Sequence, residues 1–496
     1  MGGVTQNDAV HLHDAGQRTR AGEPRRSLSS PLRHFGAGSP TQRLALLLIL
    51  GVALSLRVAW CLYAARPPRI GDPVAYYFYG AEIAKGHGYH SFGFFLARLN
   101  EIAAGGPRVF PDHNIPTALF PPGYPAVLGA LFWVVIHSPL PDNLIAAAVS
   151  LNVALSVATV LLAFEIARRM FDVRVGLVAA ALLAVYPNLI YHTATLHWET
   201  TFIFVAMAAL WVLVRRPWPE GWVPPRTLVA FAVLLGFSVL IRPMSLGIVG
   251  ALFVASLVAG AGLRRALAQC GIVMGVVALM VLPWTVRNIV KMHAPVVIAT
   301  EVGPALCVSR QPGATGAKDL RFMHRYCEPP MPDVPLERQE VESNNHAMGK
   351  SIEFVVNHPL EELRLWVPRM RYAYRKDHDV MDDVGWFMSD SSSRALGRVA
   401  DTYYFGVLTL AAVGTWSFAR RADPRRLLFL LTTASLVVTP ILLYGAPRYK
   451  VPAMPFLTLI AAAGAVTIVD PLLRRRPPPG RPAPAYRTPS SSSLTS

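Results

Sequence analysis

The sequence predicts an all-α polytopic membrane protein, on three observations. Its 496 residues are 53% hydrophobic and only 16% charged. The apolar residues fall in long blocks, not at the short periods of a soluble domain, and short basic clusters stand between the blocks. Lipid is therefore the solvent for most of the chain. Lys and Arg number 47 against 30 Asp and Glu, a net charge of +17. Clustered between spans, that surplus reads as the positive-inside bias, with attraction to anionic lipid as a second effect, and predicts no nucleic-acid partner.

Residues 1 to 40 are polar and rich in Gly, Ser, Pro and Arg, and read as a disordered cytoplasmic tail; residues 474 to 496 read the same way. Between them, apolar blocks lie at 44 to 65, 121 to 137, 143 to 167, 175 to 191, 196 to 214, 227 to 241, 243 to 260, 266 to 286, 402 to 419, 427 to 444 and 451 to 470. Each can span or partly enter a bilayer. The basic clusters are Arg33 and Arg43, Arg168-Arg169 with Arg174, Arg215-Arg216 with Arg226, Arg264-Arg265, Arg420-Arg421 with Arg425-Arg426, and Arg474 to Arg476. All can be cytoplasmic only if one block before residue 143 does not cross.

The block from Phe120 to His137 is the candidate, because it opens with Pro121-Pro122-Gly123-Tyr124-Pro125 and can lie along the membrane surface. The prediction is then about 10 to 11 transmembrane helices, ten of them full spans, with both termini inside. Residues 41 to 287 form an N-terminal transmembrane module containing a first outer loop, 66 to 142. Residues 288 to 400 form a large extracytoplasmic loop region, and 401 to 473 the C-terminal helices. Tyr76 to Ala84 reads as a short helix in the first loop. In the second, Leu360, Leu363, Trp366, Val367, Met370 and Tyr374 fall on one face of an amphipathic helix, suited to the bilayer surface. Cys307 and Cys327 share that loop and can pair if it faces an oxidising compartment; Cys61 and Cys270 lie in apolar stretches.

Counting from the inner basic anchors at about 1.5 Å per residue puts Arg57, Glu199 and Arg242 roughly 21 to 24 Å up, in the outer leaflet, and Arg287 at the outer surface. A charge there is costly unless it snorkels or is paired, and Glu199 is too short to snorkel well. Together these four suit an anionic lipid head group beneath two large loops. The loops add Gly71-Asp72-Pro73, Tyr76-Tyr77, Gly86-His87-Gly88-Tyr89 and Pro116-Thr117-Ala118 leading into the Pro-Pro-Gly-Tyr-Pro entry.

That run resembles the GT-C glycosyltransferases of the protein O-mannosyltransferase and aminoarabinose-transferase type. The resemblance continues at Trp198-Glu199, Arg242-Pro243, Pro283-Trp284-Thr285-Val286-Arg287-Asn288, Pro312-Gly313-Ala314-Thr315-Gly316 and Pro447-Arg448-Tyr449-Lys450-Val451-Pro452, over roughly residues 44 to 470. It implies a GT-C fold with extracytoplasmic juxtamembrane helices, in the plasma (inner) membrane, transferring a sugar from a polyprenyl-phosphate donor to a glycan, lipid or protein acceptor outside the cell. The chain departs from the larger family members in having fewer spans and no separate soluble domain.

The residue types fit that chemistry independently. A lipid phosphate is already a good leaving group, so the reaction needs a base for the acceptor proton and cations for the departing phosphate. Asp72 is the candidate base, its alternative being an Asp-Pro turn, and Glu199 is the second catalytic candidate. Arg242, Arg287, Arg448 and Lys450 are the candidate phosphate ligands; in an extended segment Arg448 and Lys450 point to the same side. Tyr76, Tyr77 and Tyr124 can line the substrate or anchor the interface. No metal motif is present, although Glu199 and Asp72 leave a divalent metal open. His87 with His90, Asp112 with His113, and Asp377-His378-Asp379 read as solvated polar loop. No Gly-rich phosphate loop is present, which disfavours a nucleotide-sugar donor. The competing readings are a transporter or flippase for polyprenyl-linked glycans, and a polysaccharide polymerase or ligase; the first lacks repeated halves and midplane charges.

Overall fold

The computed structural model describes residues 38–69, 71–90, 115–139, 141, 143–319, 323–419 and 423–474. Asp112 and His113 lie outside these. The described residues are helical, with no strand among them beyond two isolated bridges.

The chain starts with α1 (Pro40–Ala64), capped by a reciprocal pair in which Gln42 N–H donates to Ser39 Oγ and Ser39 N–H to Gln42 Oε1. Then come α2 (Asp72–Ala84), α3 (Gly123–Ile136), α4 (Leu144–Met170), α5 (Val173–Ala184) and α6 (Pro187–Tyr191). The membrane module continues with α7 (Glu199–Val214), α8 (Pro225–Ile241), α9 (Gly247–Val258) and α10 (Leu263–Met292). The 288 to 400 region holds α11 (Val302–Cys307), α12 (Leu336–Asn357), α13 (Pro359–Tyr374) and α14 (Met381–Val384), and Cys307 is disulfide-bonded to Cys327 within it. Three longer helices close the chain, α15 (Asp390–Ala419), α16 (Pro424–Val437) and α17 (Met454–Arg474). Each predicted apolar block is thus a helix or a bent pair of helices.

Five of the described helices are long and apolar enough to cross a membrane, six if the pair Val173–Ala184 and Pro187–Ala194, bent by 59°, is one span. α3 is shorter. Its 14 residues rise about 21 Å, less than a hydrocarbon core of about 30 Å. It packs on α2 through reciprocal glycines: a side chain at Gly80 would meet Leu128 and Phe132, and one at Gly129 would meet Ile83. α15 and α17 approach as closely, with Gly414 against the backbone of Ile460 and Gly464 against that of Leu410.

α13 is amphipathic in an inverted sense. Glu362, Leu365, Arg369 and Ala373 face inward, where Arg369 and Arg310 bond Glu362 at 2.6 and 2.7 Å. Leu360, Leu363, Trp366 and Val367 are exposed.

Arg57 is fully buried but belongs to no anion site. It donates to Ser156 Oγ and to the carbonyls of Ala53, Leu183 and Ala184, at 2.7 to 3.2 Å. The last two carbonyls end α5, so Arg57 satisfies the helix terminus where the chain bends. From the same helix Trp60 donates to the Tyr191 carbonyl at 3.2 Å, and from α4 Asn152 donates to the Thr195 carbonyl at 2.8 Å. Residues 187–199 are thereby strapped against α1 and α4.

Candidate active site

Gly71-Asp72-Pro73 makes a helix start. Gly71 has φ 70 and ψ −158, a region almost closed to other residues; Pro73 suits the first turn, and Asp72 is favoured by the positive end of the helix dipole. This starts α2 four residues before the predicted Tyr76 and aims Asp72 into the protein. Pro447 and Pro452 bound a 3₁₀ turn, Pro447–Ala453, before α17. At about 120° per residue, positions two apart diverge. Arg448 and Lys450 therefore do not share one side, as an extended segment would have required.

Arg448 joins the two predicted carboxylates. It bonds Asp72 Oδ2 at 2.5 Å, and its Nε donates to Glu199 Oε1. Glu199 opens α7 and its side chain is fully buried, whereas that of Asp72 is about a third exposed. Arg242, at the end of α8, pairs with Glu301 and donates to Tyr76 Oη at 3.0 Å. Both guanidiniums lie over Trp198, at 4.8 Å for Arg242 and 5.7 Å for Arg448. Tyr124 packs edge-on against Tyr76 at 5.1 Å, and its buried hydroxyl has no partner among the described residues. Asp72, Glu199, Arg242, Arg448, Tyr76 and Tyr124 thus come together.

Three predicted residues stand apart. Arg287 is tied to the carbonyls of Tyr89 and Thr117, at 2.6 and 2.7 Å. Tyr77 packs on Phe132 in the α2–α3 interface. Lys450 is buried behind the site, 2.9 Å from Asp377 and bonded to the Lys376 carbonyl at 2.6 Å.

Asp377-His378-Asp379 is not solvated loop, as the sequence had suggested. Asp377 is fully buried and accepts from Tyr186 at 2.8 Å, and Asn188 donates to Asp379 at 3.0 Å. His378 bonds Asp401 at 3.0 Å. Among the residues that the motifs missed are His192 and His197, on the segment bent back by Arg57. His192 Nε2 lies 3.6 Å from Asp379 and His197 Nε2 3.5 Å from Asp383, and Nδ1 of each is buried without a partner among the described residues. One donor atom each from His192, His197 and Glu199 lies within 4.8 Å of the others. Two imidazoles backed by carboxylates, with a third carboxylate beside them, fit the donor set of a divalent cation. The signal available in the sequence was two histidines in the eight residues leading to Glu199.

The charges bias the carboxylates differently. Burial alone would raise the Asp72 carboxyl, but Arg448 and Arg242 hold it below the usual carboxylate range. Burial likewise opposes Asp379, which His192 and Lys450 hold well below that range. Asp383 is pushed up to about 6 by burial, against the opposing charge of Arg448.

Comparison with known proteins finds similarity over part of the chain. Residues 126–286, about a third of the chain, match the family model described as Dolichyl-phosphate-mannose-protein mannosyltransferase. Over that segment the chain is similar to a glycosyltransferase family, in keeping with the resemblance that its motifs carry. No curated protein matches significantly. Similar solved structures include the oligosaccharyltransferase AglB from Archaeoglobus fulgidus in complex with an inhibitory peptide and a dolichol-phosphate, at 13% identity and TM-score 0.48, covering 90% of this chain and 52% of AglB. ArnT from Cupriavidus metallidurans, bound to undecaprenyl phosphate, has 15% identity and TM-score 0.34, covering 86% of this chain and 78% of ArnT. The chain thus spans about half the length of AglB.

Proposed function

We propose that the chain is a polyprenyl-phosphate-dependent hexosyl- or pentosyltransferase of the plasma membrane, acting outside the cell on a glycan, lipid or protein hydroxyl with inversion at the sugar. The observation that carries this reading is Arg448 bridging Asp72 and Glu199, beside Arg242 and Tyr76. In the reaction the acceptor oxygen attacks the anomeric carbon while its proton passes to the Asp72 carboxylate. The bond from that carbon to the phosphate oxygen breaks, and polyprenyl phosphate leaves with the electron pair. Arg448 and Arg242 receive the added negative charge, Arg242 by exchanging Glu301 for phosphate oxygens. Glu199 keeps Arg448 oriented and accepts from a sugar hydroxyl.

His192, His197 and Glu199 are read as the ligand set of a divalent cation. Bound there, the cation would supply further positive charge beside the phosphate. The surroundings favour one: Asp72, Glu199, Glu301, Asp377 and Asp379 are faced by Arg448, Arg242 and Lys450. The test is turnover of undecaprenyl-phosphate sugars by the purified protein in lipid nanodiscs, with water or a hydroxylated detergent as acceptor. Absence of any sugar release across a panel of such donors, from folded protein, would end the proposal.

A further inference from the structure

The indole of Trp198 stands where the two proposed phosphate ligands meet. Trp198 directly precedes α7, and its carbonyl accepts from Phe202 N–H at 2.9 Å, so the ring is fixed beside Glu199. The side chain is buried, with the Phe202 ring edge-on at 5.6 Å. Arg242 comes from the end of α8 and Arg448 from the 3₁₀ turn before α17, and their acidic partners differ: Glu301 for one, Asp72 and Glu199 for the other. What the two guanidiniums share is Trp198, at 4.8 and 5.7 Å from the ring centre. Arg242 also lies 5.9 Å over Phe120 and donates to Tyr76 Oη. Two donors here are open: Arg242 Nε–H and the Trp198 indole N–H are both buried without a partner among the described residues.

Buried donors without acceptors suit a ligand rich in acceptor oxygens. A carboxylate that holds a cation also repels an incoming phosphate, whereas an indole face attracts the cation through its quadrupole and carries no net charge. Trp198 can therefore keep its hold while Glu301 gives way. We propose that Trp198 is a positioning residue for the donor phosphate, its ring holding Arg242 and Arg448 in place as the phosphate displaces Glu301. The inference rests on the proposed sugar transfer, in which those two cations serve the phosphate. With both fixed beforehand, less side-chain freedom is lost when the phosphate docks.

The test is equilibrium binding by the full-length protein in nanodiscs carrying undecaprenyl phosphate or undecaprenol, with occupancy read by native mass spectrometry. The wild type is expected to prefer the phosphate. Trp198→Leu should cut that preference roughly fivefold or more with undecaprenol binding unchanged, and Trp198→Phe, which keeps an aromatic face, should return part of it. In an Arg242→Gln background the Leu change should cost less, because one of the cations that the ring holds is gone. A preference that survives Trp198→Leu, equal weakening of both lipids, a Phe variant no better than Leu, or an undiminished Leu effect beside Arg242→Gln each overturns the inference. A wild type that binds the two lipids equally is instead the failure of the donor reading, and the inference falls with it.

Discussion

At the residue scale the proposed reaction turns on Asp72. Asp72→Asn keeps shape and hydrogen bonding but cannot take the acceptor proton, so kcat should fall by roughly 10² or more with donor binding retained. Near-normal turnover would pass the role to Glu199. The pH dependence has a definite sign. The Asp72 carboxyl is lowered in the folded protein, so it stays ionised, and keeps its bond to Arg448, as pH falls through the usual carboxylate range. The stability from that pair is present above the unfolded pKa and is lost only as pH falls through the lower, folded one. Arg448→Gln removes the main lowering charge and leaves burial, which raises. The acid limb of kcat/KM, followed between about pH 4 and 8, should therefore move to higher pH; an unmoved limb in a variant with residual activity would show that another group sets it. For the metal set, about one equivalent of zinc or manganese should bind after chelator dialysis, with His197→Ala weakening it tenfold or more. Metal content and the unfolding midpoint read this without reference to activity, and equal binding by the variant would remove His197 from the set.

At the scale of elements, apolar runs and basic punctuation were enough to place the apolar helices, because lipid forces backbone bonds inside each segment and leaves composition to report it, whereas the polar 22-residue α12 carried no such signal. What stayed hidden depends on contacts. Arg57 read as an outer-leaflet cation because burial depth follows from counting, whereas its partners, the carbonyls ending α5, exist only once the chain bends there. The face of α13 was legible but not what lay behind it, since an Arg310–Glu362–Arg369 group leaves no periodic signal. Arg57→Met should fill the same space but leave the Leu183 and Ala184 carbonyls without that donor, at a cost of about 1–3 kcal/mol in detergent unfolding. The α15–α17 contact makes a second test. Gly414→Val drives a side chain against the Ile460 backbone and should lower the unfolding midpoint, at a cost of about 1–3 kcal/mol or more. An unchanged midpoint would mean that the two helices are free to separate.

At the scale of the whole molecule the site is drawn from segments far apart in sequence, around residues 72, 192–199, 242, 301, 377–383 and 448. The sequence supplied four of these, because isolated charges at span ends stand out, and missed the acidic partners in loops, where charge is unremarkable. Several of the basic clusters predicted to share one face do come together. Arg169 and Arg215 share Trp211, Arg426 donates to the Met170 carbonyl at 2.9 Å, and Arg174 faces Asp470 at 3.6 Å. Basic residues from the ends of four helices, α4, α5, α7 and α16, thus lie at one end of the bundle, with Asp470 of α17 among them. Glu199 and the site stand at the other, about 24 Å along α7 from Arg215. The positive-inside bias predicts that the basic end faces the cytoplasm. α3 then decides the topology, since it is one of the shorter apolar helices and packs on α2, which precedes it in the same outer segment. If it does not cross, His87, before it, and Asn143, after it, lie on the same side. Single cysteines at these two positions, in a background lacking Cys61 and Cys270, should react with a membrane-impermeant maleimide on intact cells. A cysteine replacing the exposed Arg174, just beyond the far end of α4, should react only after the membrane is opened. Reaction of the His87 and Asn143 positions from opposite sides would make α3 a span, and reaction of the Arg174 position from outside would turn the whole protein over and move the site to the cytoplasm.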